Sequence, residues 1–156
     1  MTTTTTSPDG LPEPNCPFPP IDIAAETAAG LSFLTGCGHS DIECFAPIGS
    51  ATYMADAADV DFAVLLWPGC DAMSYAEELT RREGFRHCGE YDSKNGTWCA
   101  VRRGNLNLML THDRAFYTGY LRATEVCKRL NLQSKADRIA VCQIVRDGLS
   151  AAESFR

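Results

Sequence analysis

The sequence predicts an α+β fold: a mixed, mostly antiparallel sheet flanked by helices, with a two-helix C-terminal extension. Three features of the chain lead there. Apolar runs of strand length fall at 42–48, 60–67, 87–91, 97–102 and 106–111, each bounded by Gly, Pro or Asn-Gly turn chemistry. Helical periodicity is confined to 22–34, 71–83 and the last third of the chain. The resulting order is helix, strand, Gly-Ser turn, strand, helix, antiparallel hairpins and two helices, which is that of an α+β domain.

Each element has a local reason. Residues 1–20 hold a threonine run and six prolines, a composition that makes no packed element and reads as a flexible or polyproline-like arm. The folded unit, 21–156, is one domain. Its first helix carries Ile23, Leu31 and Leu34 among alanines and is broken by Gly36 and Gly38, with Gly30 an unfavourable helix residue inside it. The run at 42–48 is a short buried strand ended by Pro47 and Gly49, and 60–67 is the most strand-like run, stopped by Pro68-Gly69. Asp71 caps a helix with Met73, Ala76 and Leu79 on one face, and Gly84 ends it. Asp92 to Gly96 supplies an Asn-Gly hairpin turn, and Arg103-Gly104-Asn105 a second turn. Asp113 and Ser134 are the N-caps of the last two helices. Their core stripes are read as Phe116, Tyr120, Thr124, Cys127 and Leu130, then Ala136, Ile139, Ala140 and Val145.

Composition narrows the function. At 156 residues and 45% apolar, the chain suits one domain with a real core. A net charge of −6 argues against strong non-specific binding to duplex DNA, which needs a basic face to displace counterions. No apolar run approaches the roughly 20 residues of a membrane span, and the N-terminus has no secretory pattern, so the expected location is the cytoplasm. The eight cysteines form no Cys-x-x-Cys knuckle. Cys37-x-His39 and His87-Cys88 are weak zinc half-sites; reduced thiols packed as small hydrophobes are the expectation, above all at Cys44, Cys99, Cys127 and Cys142.

Chemistry concentrates between the first two strands. Ile48-Gly49-Ser50 ends one apolar run, and Asp59-Val60-Asp61-Phe62 opens the next. A Gly-Ser bend can bring backbone N–H groups and a hydroxyl to a phosphate. Two carboxylates at i and i+2 point to one side of a strand and repel each other unless a cation lies between them. A divalent metal carrying a triphosphate meets that requirement.

These residues resemble the signature of the nucleotidyltransferase fold, typified by DNA polymerase β, kanamycin nucleotidyltransferase and the minimal nucleotidyltransferases of toxin–antitoxin pairs. The match covers roughly residues 42–66. More loosely, the helical tail is similar to small nucleotidyltransferase-like proteins of tailed bacteriophages, which would place the chain in a host cytoplasm. The resemblance implies that Gly49 and Ser50 hold the β and γ phosphates of a nucleoside triphosphate. It implies that Asp59 and Asp61 bind two Mg²⁺ (or Mn²⁺) ions and that a nucleoside monophosphate passes to an acceptor hydroxyl. That acceptor is a protein, an RNA end or a small molecule, a macromolecule being favoured because the chain has no second domain.

The chain departs from the family pattern in two places. Asn107, in Asn105-Leu106-Asn107-Leu108-Met109, stands where the third acid is expected. It can offer an oxygen to a metal but cannot accept the nucleophile's proton. Glu90 and Asp113 are possible substitutes. The usual basic residue after Gly-Ser is missing, the sequence there being Ala51-Thr52-Tyr53-Met54. Two other readings follow: a catalytically impaired protein that binds a nucleotide or a host protein as inhibitor, sensor or decoy, and an interaction module in which the acids are merely solvated. Phosphatases of the haloacid dehalogenase type need Thr or Val where Ala63 stands, and Asp-x-Asp glycosyltransferases need a larger domain. Arg114, Arg122 and Lys128 on the first C-terminal helix are phosphate contacts or a solvated face, His112 is a turn residue or an assistant to the reaction, and Trp67 and Trp98 are core or rim aromatics.

Overall fold

The computed structural model describes residues 20–36, 38–89 and 97–153. Most of the arm, Cys16, Cys37, Glu90 and the Asn-Gly turn lie outside them. The order is α1 (Ile23–Thr35), β1 (Ile42–Ile48), a 3₁₀ turn (Ser50–Thr52), β2 (Val60–Leu66), α2 (Ala72–Glu83), β3 (Arg86–His87), β4 (Trp98–Arg103), β5 (Leu106–Thr111), α3 (Arg114–Arg129) and α4 (Lys135–Glu153). The sheet runs β1-β2-β5-β4-β3, with β2 and β5 parallel and the other pairs antiparallel. This is a mixed, mostly antiparallel α+β sheet flanked by helices.

Helix boundaries follow their caps. Asp22, Asp71 and Asp113 each accept a hydrogen bond from a backbone N–H in the first turn of α1, α2 and α3. Gly84 ends α2 in the left-handed region (φ 70°, ψ 22°). Gly30 lets α1 sit on the sheet. A Cβ there would lie 2.5 Å from Phe62 Cε2, so only glycine permits this approach to a fully buried ring. Pro47 does not end β1 but lies within it, on the sheet's outer strand.

Two cores hold the layers together. Val60, Phe62, Val64 and Leu66 of β2 face α1 and α2, packing with Leu34, Tyr75, Leu79, Leu108 and Leu110. Ala63 and Leu65 face the other way, onto Tyr117 of α3 and Ile48. β2 is therefore buried on both faces, and Asp61 alone interrupts its run of buried residues. Helix α4 packs against α3. Of the stripe expected from sequence, Val145 is partly buried but Ala136, Ile139 and Ala140 are exposed, and Arg138, Val141 and Cys142 are partly buried instead. Both stripes have helical spacing, and Arg138 is long enough to bury its stem while its guanidinium donates to Gln133 O (2.6 Å). Leu130, placed in the α3 stripe, is 62% exposed because the helix has ended there. Trp67 is also exposed, while Trp98 stacks on Phe116 with ring centroids 5.2 Å apart. Cys88, Cys99 and Cys127 are buried thiols.

Candidate functional site

Sheet register assembles the site. Ile48 pairs with Asp61, Asp61 with Asn107, and Asn107 with Arg102, so one row of residues crosses four strands. Residues paired across strands share a face, here the face covered by α3. Asp59, two residues before Asp61, falls on the same side. The two acids converge: Asn107 Nδ2 donates to Asp59 Oδ2 (3.0 Å) and to Asp61 Oδ1 (2.9 Å).

The bend after β1 reaches the same point. Gly49 has φ 74° and ψ −165°, a conformation that L side chains avoid. A Cβ on it would stand 2.7 Å from Asp61 Oδ2, so the absence of a side chain lets backbone and carboxylate meet. The Gly49 N–H donates to Thr124 Oγ on α3 (3.1 Å), and its carbonyl accepts from the Thr52 hydroxyl (2.7 Å). Ser50 opens the 3₁₀ turn that follows. Tyr53 anchors the far side of this turn by donating its hydroxyl to Leu132 O between α3 and α4 (2.6 Å). The C-terminal helices thus hold the Gly-Ser bend in place.

A cavity of about 370 Å³ opens beside the bend, lined among others by Ile48, Thr52, Asp61, Thr124 and Lys128. Lys128 lines it from α3, as does Glu125, which pairs with Arg129 (2.9 Å).

The electrostatics centre on Arg102, which sequence reasoning did not single out. Its Nη2 donates to Asp59 Oδ2 (2.6 Å) and its Nε to Asn107 Oδ1 (2.5 Å). One guanidinium thus offsets one of the two carboxylates. Asp61 is pushed up to about 6, first by burial and then by the charge of Asp59; the Asn107 hydrogen bond and the charges of Arg102 and Lys135 act the other way. Arg102 was within reach of counting: a turn centred on Gly104-Asn105 pairs Arg103 with Leu106 and therefore Arg102 with Asn107.

Other sequence candidates lie elsewhere. Asp113 follows β5, at the opposite end of that strand from Asn107, and its Oδ1 accepts from two backbone N–H groups of α3. It is a cap and does not substitute for a third acid. Arg114 is paired with Glu43 on β1. His112 and Arg122 are exposed. Among the described residues, no group of three or more His, Cys, Asp or Glu side chains converges as a metal site, in line with an amide in the third position. Two carboxylates and a carboxamide oxygen are hard oxygen donors of the kind a divalent cation takes. Two carboxylates meet at one point, a cradle that a Cβ would fill adjoins them, and a guanidinium already stands there as a cation.

No helix among the described residues is long and apolar enough to cross a membrane. No family model matches the chain, and no curated protein matches it in sequence. Among solved structures, the chain is similar to the conserved protein GrpB from Enterococcus faecalis, at 15% identity with a TM-score of 0.43. That alignment covers 80% of this chain and 88% of the other.

Proposed function

We propose that this protein is a metal-dependent nucleotidyltransferase, binding a nucleoside triphosphate with Mg²⁺ or Mn²⁺ at the corner where β1 meets β2. The observation that carries the reading is convergence: Gly49 abuts Asp61, and Asp59 and Asp61 share one hydrogen-bond donor. Asp59 and Asp61 are the residues to hold the cation, with Asn107 offering its carboxamide oxygen. When bound, the metal supplies charge neutralisation and orientation to the reacting phosphates. Gly49 and Ser50 place the bend against the phosphate tail, and Thr124 and Lys128 line the cavity that receives it. The acceptor is a hydroxyl on a protein, an RNA end or a small molecule. Such a reaction belongs in the cytoplasm, where triphosphates and reduced thiols coexist.

A second reading has its own support. Asn107 cannot take the acceptor's proton, and its NH₂ group faces both carboxylates. This favours a nucleotide-binding protein without transfer, acting as inhibitor, sensor or decoy. Incubation with each α-labelled NTP, Mg²⁺ or Mn²⁺ and a cell lysate separates the two. Label transfer that is lost in Asp59→Ala/Asp61→Ala establishes the enzyme. Metal-dependent stabilisation by NTP without transfer establishes the binder. If neither nucleotide nor metal alters thermal stability, both readings fall.

A further inference from the structure

We infer that Arg102 is a built-in cation that holds the acid pair closed, so that a divalent metal must displace its guanidinium before binding. The inference rests on the metal-binding reading above and deepens it. It begins with the orientation of an amide. Arg102 Nε donates to Asn107 Oδ1 at 2.5 Å, which turns Asn107 Nδ2 towards the carboxylates. The reverse orientation would set the amide nitrogen against the Nε–H, two donors in contact with no acceptor between them. Arg102 therefore decides which end of Asn107 the acids meet.

The consequence is steric and electrostatic together. The point lying 3.0 and 2.9 Å from the two carboxylates is filled by an NH₂ group. A Mg²⁺ or Mn²⁺ ion needs oxygens at roughly 2.0–2.2 Å and tolerates no N–H pointing at it. Arg102 also takes Asp59 Oδ2 through Nη2 at 2.6 Å, removing part of the negative charge a cation would seek. The guanidinium can leave: its side chain is 39% exposed, on a strand adjoining the short β3 near the sheet's edge. Its withdrawal frees Asn107 to turn its carboxamide oxygen inward, and one movement then converts a closed ion pair into three oxygen donors. Because Arg102 is tethered to the fold, it competes at high effective concentration. This competition lowers metal affinity until a polyphosphate, which can itself attract a guanidinium, draws the side chain away.

Mn²⁺ titration of the full-length protein at pH 8, read by the electron paramagnetic resonance signal of the free ion, tests this without any assay of activity. Circular dichroism checks the fold of each variant. Arg102→Met should bind Mn²⁺ at least tenfold more tightly than wild type. Arg102→Lys keeps a charge but lacks the Nε–H that orients Asn107, and should fall between them; it also serves if Arg102→Met does not fold. Asn107→Asp, which removes the NH₂ group, should tighten binding as well. If wild type binds Mn²⁺ through Asp59 and Asp61 and neither Arg102 variant binds more tightly, the inference is overturned while the metal reading stands. If no chain binds Mn²⁺, Asn107→Asp included, both are overturned.

Discussion

Gly49→Ala tests the contact on which the site depends. Its cost has two separable parts. Alanine at φ 74°, ψ −165° is strained by roughly 1–3 kcal/mol. The new methyl also meets Asp61 Oδ2 at 2.7 Å. The carboxylate must then turn and loosen its bond from Asn107 (2.9 Å), and a hydrogen bond to a charged group contributes about 1.5–3 kcal/mol. The substitution should therefore destabilise the fold by about 2.5–6 kcal/mol in urea unfolding followed by circular dichroism. Gly104→Ala is the control: its φ is also positive, at 58°, but a Cβ there meets nothing within 4 Å, so only strain of about 1–2 kcal/mol remains. The decisive measurement is a double-mutant cycle. In an Asp61→Ala background the collision is absent, so the cost of Gly49→Ala should fall by roughly 1–3 kcal/mol. If that cost is the same in both backgrounds within about 0.5 kcal/mol, the bend does not abut the acid, and the reasoning from convergence fails.

Three further outcomes follow from named contacts. Asp61 ionises at about 6 in the fold against 3.8 for an ordinary aspartate, so the native state holds its proton more tightly than the unfolded chain. Its charge then destabilises the protein increasingly from about pH 4 to 6, by up to about 3 kcal/mol above that window. In chelator, Asp61→Asn should gain on wild type by that order between pH 4 and 7.5, and a pH-independent difference would contradict this. Gly30→Ala would stabilise an exposed helix by about 1 kcal/mol; here the methyl meets Phe62 at 2.5 Å, so overpacking of about 1–3 kcal/mol should prevail and lower the melting temperature. Lys128→Ala should weaken triphosphate binding about tenfold, and monophosphate binding less, in a fluorescent-nucleotide displacement assay with Mn²⁺. Unchanged triphosphate affinity would remove Lys128 from the site.

Much of the architecture was legible because local chemistry and global fold agree. Asp71, Asp113 and Gly84 mark helix ends through bonds or torsions made within a few residues, so their roles follow from sequence alone. Misreadings arose where a distant partner decides. Gly30 counts against a helix until Phe62 is seen beneath it. The face of α4 is ambiguous because Ala136, Ile139 and Ala140 repeat with the same helical spacing as Arg138, Val141 and Cys142, and only packing on α3 chooses between them. His87 shows a related limit: the strand expected over 87–91 is Arg86–His87, Cys88 and Gly89 fall beyond its end, and Glu90 and Tyr91 lie outside the described residues.

By sequence alone this chain determines its α+β order, its capped helices and a Gly-Ser bend followed by two acids on one strand face, because periodicity and capping act over at most a few residues. Tertiary structure alone decided what stands opposite those acids. Arg102 reaches them from 43 positions away along the chain, and Thr124 holds Gly49 from 75. Sheet register and helix packing create those neighbours, and the burial they impose lifts the Asp61 carboxyl above the range of an ordinary aspartate.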